Sequence, residues 1–151
     1  MSSVESFIII EAPRELVFSL SQDYERRLLW DPFLREARLL GGAQAAGVGV
    51  RAWCVANSGW GMETEYVSYR PPELTAVKMT RGPALIASFA GSWRFEAAGE
   101  GRTRVIFKYQ VEARPRWLRR LLNPIMSFLF GRDTRRRLAA LKRAVEEGLQ
   151  R

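Results

Sequence analysis

Residues Gly91 to Pro115 read GSWRFEAAGEGRTRVIFKYQVEARP. Alternation puts Trp93 and Phe95 on one side of a first strand, and Val105, Phe107, Tyr109 and Val111 on one side of a second. The glycine-containing AAGEG between them supplies a turn, so the segment reads as a β-hairpin with one heavy apolar face. A face of that kind has to be covered by another element. After Arg114-Pro115 the apolar period changes from two to three and four, through Leu118, Leu121, Leu122, Ile125, Met126 and Leu129, then Leu138, Leu141 and Val145. That spacing predicts one long C-terminal helix, with Pro124 or Gly131 as the place for a kink, and its apolar stripe is the cover the hairpin needs.

Upstream, VESFIIIEAP (Val4–Pro13) predicts an opening strand, and PRELVFSLSQDYERR a helix that sets Leu16, Val17 and Leu20 at helical spacing. A second short helix ends near LLWDPF, because Asp31-Pro32 breaks helix and favours an extended exit. Six strand candidates follow: LREARLL, VGVRAWCVAN, METEYVSYRP, LTAVKMT, LIASFAGSWRFEA and TRVIFKYQVEA. The short connections between them, GGAQAAG, SGWG, RPPE, RGPA and AGEG, describe an antiparallel meander. A chain of 151 residues with this order is one α+β domain, residues 1–151.

Composition narrows the chemistry. The chain has 47% hydrophobic and 26% charged residues, a balance that folds throughout. It contains no histidine, so Ser-His-Asp and Cys-His triads, His-ligated zinc and imidazole acid–base catalysis are all excluded. Cys54 is the one cysteine, which rules out an intrachain disulfide and a cysteine-based metal site; in RAWCVAN it reads as a small buried apolar residue. No phosphate loop of the G-x-x-x-x-G-K type is present, and GGAQAAGVGV, lacking the lysine, reads as a loop entering a strand. No run reaches the length of a membrane span and no basic-then-apolar leader opens the chain, so a cytoplasmic location is the expectation, with no metal and no cofactor.

Strand, two short helices, six antiparallel strands and a long helix, in that order, resemble the helix-grip fold of the START-like, Bet v 1-like (SRPBCC) superfamily. The likeness is to its polyketide cyclase/dehydrase and lipid transport branch. It is carried by APRELVFSLSQDYERRLLWDP, VSYRPPELTAVKM, GSWRFEAAGEGRTRVIFKY and RRRLAALKRAVE, spread over essentially the whole chain. The resemblance implies a curved antiparallel sheet of about seven strands wrapped around the C-terminal helix, with an apolar cavity between them for a lipid, quinone, hormone or polyketide. It places Trp53, Tyr66, Phe89, Trp93, Phe95, Phe107 and Tyr109 near that cavity from the sheet, Leu122, Ile125, Met126 and Leu129 from the helix, and Trp30 near its entrance. Read from alternation alone, the same side chains are core packing.

Polar candidates are fewer. Members described as cyclases imply Arg94, Tyr66, Ser92 and Asp133 as analogues of groups that position a reactive chain. Parity sends Ser92 and Arg94 outward if Trp93 and Phe95 point inward. Asp133 either interrupts the sheet-facing stripe as a buried carboxylate or pairs on the surface with Arg137 one turn later, the second being favoured.

Charge is concentrated as well. Residues 114–143 hold nine arginines and Lys142 against Asp133 alone, a net of +9, so the rest of the chain balances at −1. RPRWLRRLLNPIMSFLFGR sets Arg116, Arg119 and Arg120 beside Trp117 and Phe128 as an interfacial helix on anionic lipid would, with Arg135 and Arg136 farther on. A solvated helix back is the simpler reading, and nucleic acid ranks last. The leading expectation is therefore a non-enzymatic binder or carrier of a hydrophobic small molecule. A cofactor-independent cyclase/dehydratase and a protein-partner or ribosome-associated module are the alternatives.

Overall fold

The computed structural model describes residues 2–148. Strand β1 (Ser2–Ile10) is followed by helices α1 (Arg14–Ser21) and α2 (Arg27–Trp30). Strands β2 (Leu34–Leu39), β3 (Arg51–Ala56), β4 (Gly61–Arg70), β5 (Leu74–Arg81), β6 (Ile86–Ala97) and β7 (Thr103–Ala113) come next, then a 3-10 turn (Arg116–Leu118) and helix α3 (Arg119–Glu146). All six strands expected after Asp31 form, and the first ends three residues earlier than expected, at Ile10.

The seven strands make one antiparallel sheet in the order β1-β7-β6-β5-β4-β3-β2, curled into a half-barrel. Register shifts in the β2–β3, β4–β5 and β6–β7 ladders supply local bends, because an extra residue on one strand sharpens its twist. The hairpin of β6 and β7 is the long spine of the sheet. It pairs Trp93 with Phe107 and Phe95 with Val105, and the Trp93 and Phe107 rings meet edge to face at 4.6 Å. Its turn needs Gly99 and Gly101, whose φ of 122° and 67° lie in the left-handed region that a side chain disfavours.

Helix α3 lies along β1 and β7. Leu138, Leu141 and Val145 bury one stripe there, and buried Gly131 packs against the Val4 side chain, whose Cγ1 would stand 3.4 Å from a Cβ at that position. Lys142 Nζ donates to the Ile9 carbonyl at 2.8 Å, and Glu146 accepts from the Glu11 amide at 2.9 Å, fixing the helix end to the first strand. The helix runs on through Pro124.

The first half of α3 departs from the expected pattern. Of its apolar residues only Met126 is buried, with Leu122 and Phe130 partly so, while Leu121 and Ile125 face outward and Leu129 is exposed. This stretch is apolar nearly all round, so steps of three and four select no face, and packing decides.

Candidate functional site

Sheet and helix do not fill the space between them. A cavity of about 510 Å³ lies inside the curl, with Tyr66, Phe89, Trp93, Phe107 and Tyr109 on the sheet side and Met126, Leu129 and Phe130 on the helix side. The void has a local cause in sequence. Inward positions of the middle strands are small: Ala56 on β3, Thr64 on β4, Thr75 and Val77 on β5, and Gly91 on β6 between the large rings of Phe89 and Trp93. Four members of the wall are solvent-exposed, Ser58, Trp60, Leu129 and Arg132, and they mark the mouth. A wider depression of about 1090 Å³ opens on the far side of Gln22 and Tyr24, between α1 and the loop after β2, and it is shallower and more polar.

One region of the cavity wall is charged. Arg27, on the short α2, points into the molecule, where its Nε donates to Asp31 Oδ2 at 2.9 Å and its Nη1 to the Ser21 carbonyl at 2.8 Å. Arg137 reaches the same oxygen from α3, with Nε at 3.1 Å and Nη2 at 3.0 Å. Asp31 Oδ1 accepts the Phe33 amide at 3.0 Å. Burial alone raises a carboxyl's pKa, but Arg137, Arg27 and these hydrogen bonds outweigh it and hold Asp31 below the ordinary aspartate value, so the group is ionised at neutral pH.

Beside this cluster Tyr66 donates to Gln22 Oε1 at 2.7 Å, and Tyr24 shares a hydroxyl contact of 3.1 Å with Tyr66. Burial pushes the pKa of Tyr24, Tyr66 and Tyr109, and that of the Cys54 thiol, upward. All four stay protonated at neutral pH. They can donate hydrogen bonds but have no tendency to abstract a proton.

Residues 1–146 match the sequence model of the polyketide cyclase / dehydrase and lipid transport family. The chain belongs to that family. Solved structures share the fold. A START superfamily protein of Mycobacterium smegmatis superposes with a TM-score of 0.79 at 16% identity, covering 97% of this chain and 99% of the other. The Zhui aromatase/cyclase of Streptomyces sp. R1128 gives 0.79 at 16% identity, covering 97% and 94%. A Thermus thermophilus protein gives 0.77 at 21% identity, covering 96% and 97%. No curated protein matches the chain.

Set against this member of the cyclase/dehydrase and lipid transport family, the sequence-derived site divides. Tyr66, Phe89, Trp93, Phe107, Tyr109, Met126, Leu129 and Asp133 stand on the cavity wall. Five others do not. Trp53 lies on the opposite face of β3, packed across Gly61, because Cys54 and Ala56 take the inward positions. Phe95 is inward but capped by α1, its ring 5.2 Å from that of Phe18. Trp30 sits behind Arg27, whose guanidinium is 5.0 Å over its ring. Leu122 packs against the core beside the cavity, and Ile125 faces outward.

Ser92 and Arg94 point away from Trp93 and Phe95, as parity requires. Asp133 is half-buried, and the surface pair with Arg137 does not form, since Arg137 turns inward to Asp31. Arg119 is also diverted: its Nε donates to the Ala113 carbonyl at 2.8 Å, which ties it to the end of β7. Sequence reasoning missed the charged cluster of Arg27, Asp31 and Arg137, and with it the wall residues Gln22, Tyr24 and Phe130. The i,i+4 spacing of Arg27 and Asp31 was a visible signal, but nothing local marks the pair as buried.

Proposed function

We propose that this protein binds an apolar small molecule between sheet and helix and acts as a carrier for it. The observation that supports the reading is the void of about 510 Å³ with a largely aromatic and aliphatic wall, a size suited to a ligand of a few hundred daltons. Protonated phenols and thiol, with Asp31 saturated by donors, favour binding over acid–base turnover. A neutral lipophilic fluorophore titrated into the folded protein should saturate at about one site per chain. No saturable binding across a varied panel of neutral lipophiles would end the proposal.

Helix α3 supports a second element of the same reading, exchange of the ligand at an anionic lipid surface. Steps of four and three set Leu121, Ile125 and Phe128 on one exposed face of α3, Phe128 at 66%, and Trp117 on the preceding 3-10 turn is 80% exposed. Arg116, Arg120, Arg135 and Arg136 flank this face, all exposed, and Leu129 joins it to the cavity mouth. Arginines flanking an apolar stripe complement anionic headgroups above a hydrocarbon layer.

The protein should co-sediment with vesicles containing phosphatidylserine and much less with phosphatidylcholine alone. Added salt should weaken the binding, since exposed charges are screened beyond roughly 8 Å at physiological ionic strength. Replacing Trp117 and Phe128 together by alanine should lower vesicle affinity by roughly tenfold or more. Equal binding to both vesicles, or an unchanged double variant, would count against the membrane face.

A further inference from the structure

We infer that the ligand carries a carboxylate, held by Arg27 and Arg137; this rests on the cavity-binding reading above. Two guanidinium groups here share one carboxylate. Asp31 has a side-chain exposure of 0%, and its Oδ2 receives N–H groups from both arginines, whose side chains are only 7% and 15% exposed. Its Oδ1 is taken by the Phe33 amide. Asp31 therefore neutralises one of two buried cations, and the cluster keeps one positive charge.

Among the described residues, no other carboxylate pairs with either arginine. Asp133 faces the same cavity but lies beyond ion-pair distance of either arginine, and Arg132 is its neighbour at the mouth. Among the described residues, Arg27 Nη2 and Arg137 Nη1 make no hydrogen bond to protein, although both residues line the cavity. The nearby Tyr24 and Tyr66 hydroxyls, which bond to each other and to the Gln22 amide, cannot supply an anion, because burial keeps both protonated.

The two guanidiniums are also held in place by rings. Arg27 lies 5.0 Å over Trp30 and 5.8 Å over Trp93, and Arg137 lies 5.1 Å over Phe33 and 5.7 Å over Phe107. A buried cation with free donors on the wall of an apolar cavity is costly unless an anion meets it, and charge-assisted bonds to a carboxylate are among the strongest a site can make. A single surplus charge suits a monoanion better than a phosphate monoester. The inferred ligand is an apolar body ending in a carboxylate.

The test compares dodecanoate with its methyl ester, which keeps the chain and removes the charge, by displacement of the neutral fluorophore. Wild type should bind the acid roughly tenfold more tightly than the ester or better. Arg137→Gln, which keeps a polar side chain and leaves the Arg27–Asp31 pair intact, should bring the two affinities together chiefly by weakening that of the acid. Arg137→Lys, which keeps the charge, should retain most of the preference and serves if the glutamine variant folds poorly. Equal affinities in wild type, or a preference that survives Arg137→Gln, would overturn the inference while leaving the cavity reading intact. If neither compound nor the fluorophore binds, the cavity reading itself fails, and the inference with it.

Discussion

Asp31→Ala is expected to lower the midpoint of thermal unfolding by roughly 6–20 °C. The substitution removes the carboxylate that accepts an N–H from Arg27 and another from Arg137, and leaves two buried guanidiniums without a counterion. Breaking a buried ion pair from one side costs about 3–5 kcal/mol, and a chain of this size loses about 2–4 °C per kcal/mol. In an Arg137→Met background the same substitution should cost clearly less, since only one cation is then orphaned; the difference is the coupling between the residues. A loss below about 2 °C in the wild-type background would mean that water already solvates the cluster.

The same pair has a pH signature. Because the folded state holds Asp31 below its ordinary pKa of 3.8, the stabilisation is complete above that value and is lost as pH falls through the lower, folded-state pKa. Acid unfolding should therefore flatten in Asp31→Asn, whose amide does not titrate.

Gly91→Phe is expected to abolish ligand binding while sparing the fold. Gly91 is buried on the cavity wall with no left-handed φ, and a Cβ there would meet Phe89 Cε1 at 3.5 Å and Phe107 Cζ at 3.8 Å, ordinary contacts that require nothing to move. The new ring would enter the void. Fluorophore affinity should fall by at least roughly tenfold, the scale set by removing one good apolar contact surface. In a fully packed core the same enlargement would cost about 1–3 kcal/mol; here the midpoint should stay within about 3 °C, because the space exists and phenylalanine favours a strand more than glycine does. Ile125→Trp is the matched control. It faces outward, so both binding and stability should be unchanged. A steep loss of stability in Gly91→Phe with binding retained would show that the cavity is core and that ligands bind elsewhere.

Much of the fold was legible because strands and helices write their period into local sequence. Alternation from Trp93 to Val111 defined the hairpin and its inward face, and steps of three and four from Leu138 to Val145 marked the helix that covers it. Even the error at Trp53 was readable. Arg51 and Trp53 share a face of β3 while Ala52, Cys54 and Ala56 share the other, and the weight of the indole drew attention from the small residues that line the cavity.

What sequence by itself determined, then, was the set of elements, their order, the family and the inward face of the hairpin, since each depends on neighbours a few residues apart. Tertiary structure alone decided which face of the early α3 is wet, where small residues opposite one another leave a void, and that Arg137 crosses 106 positions to share Asp31 with Arg27. Those outcomes depend on the curl of the sheet and on the desolvation of charges far apart in the chain. No local period encodes either.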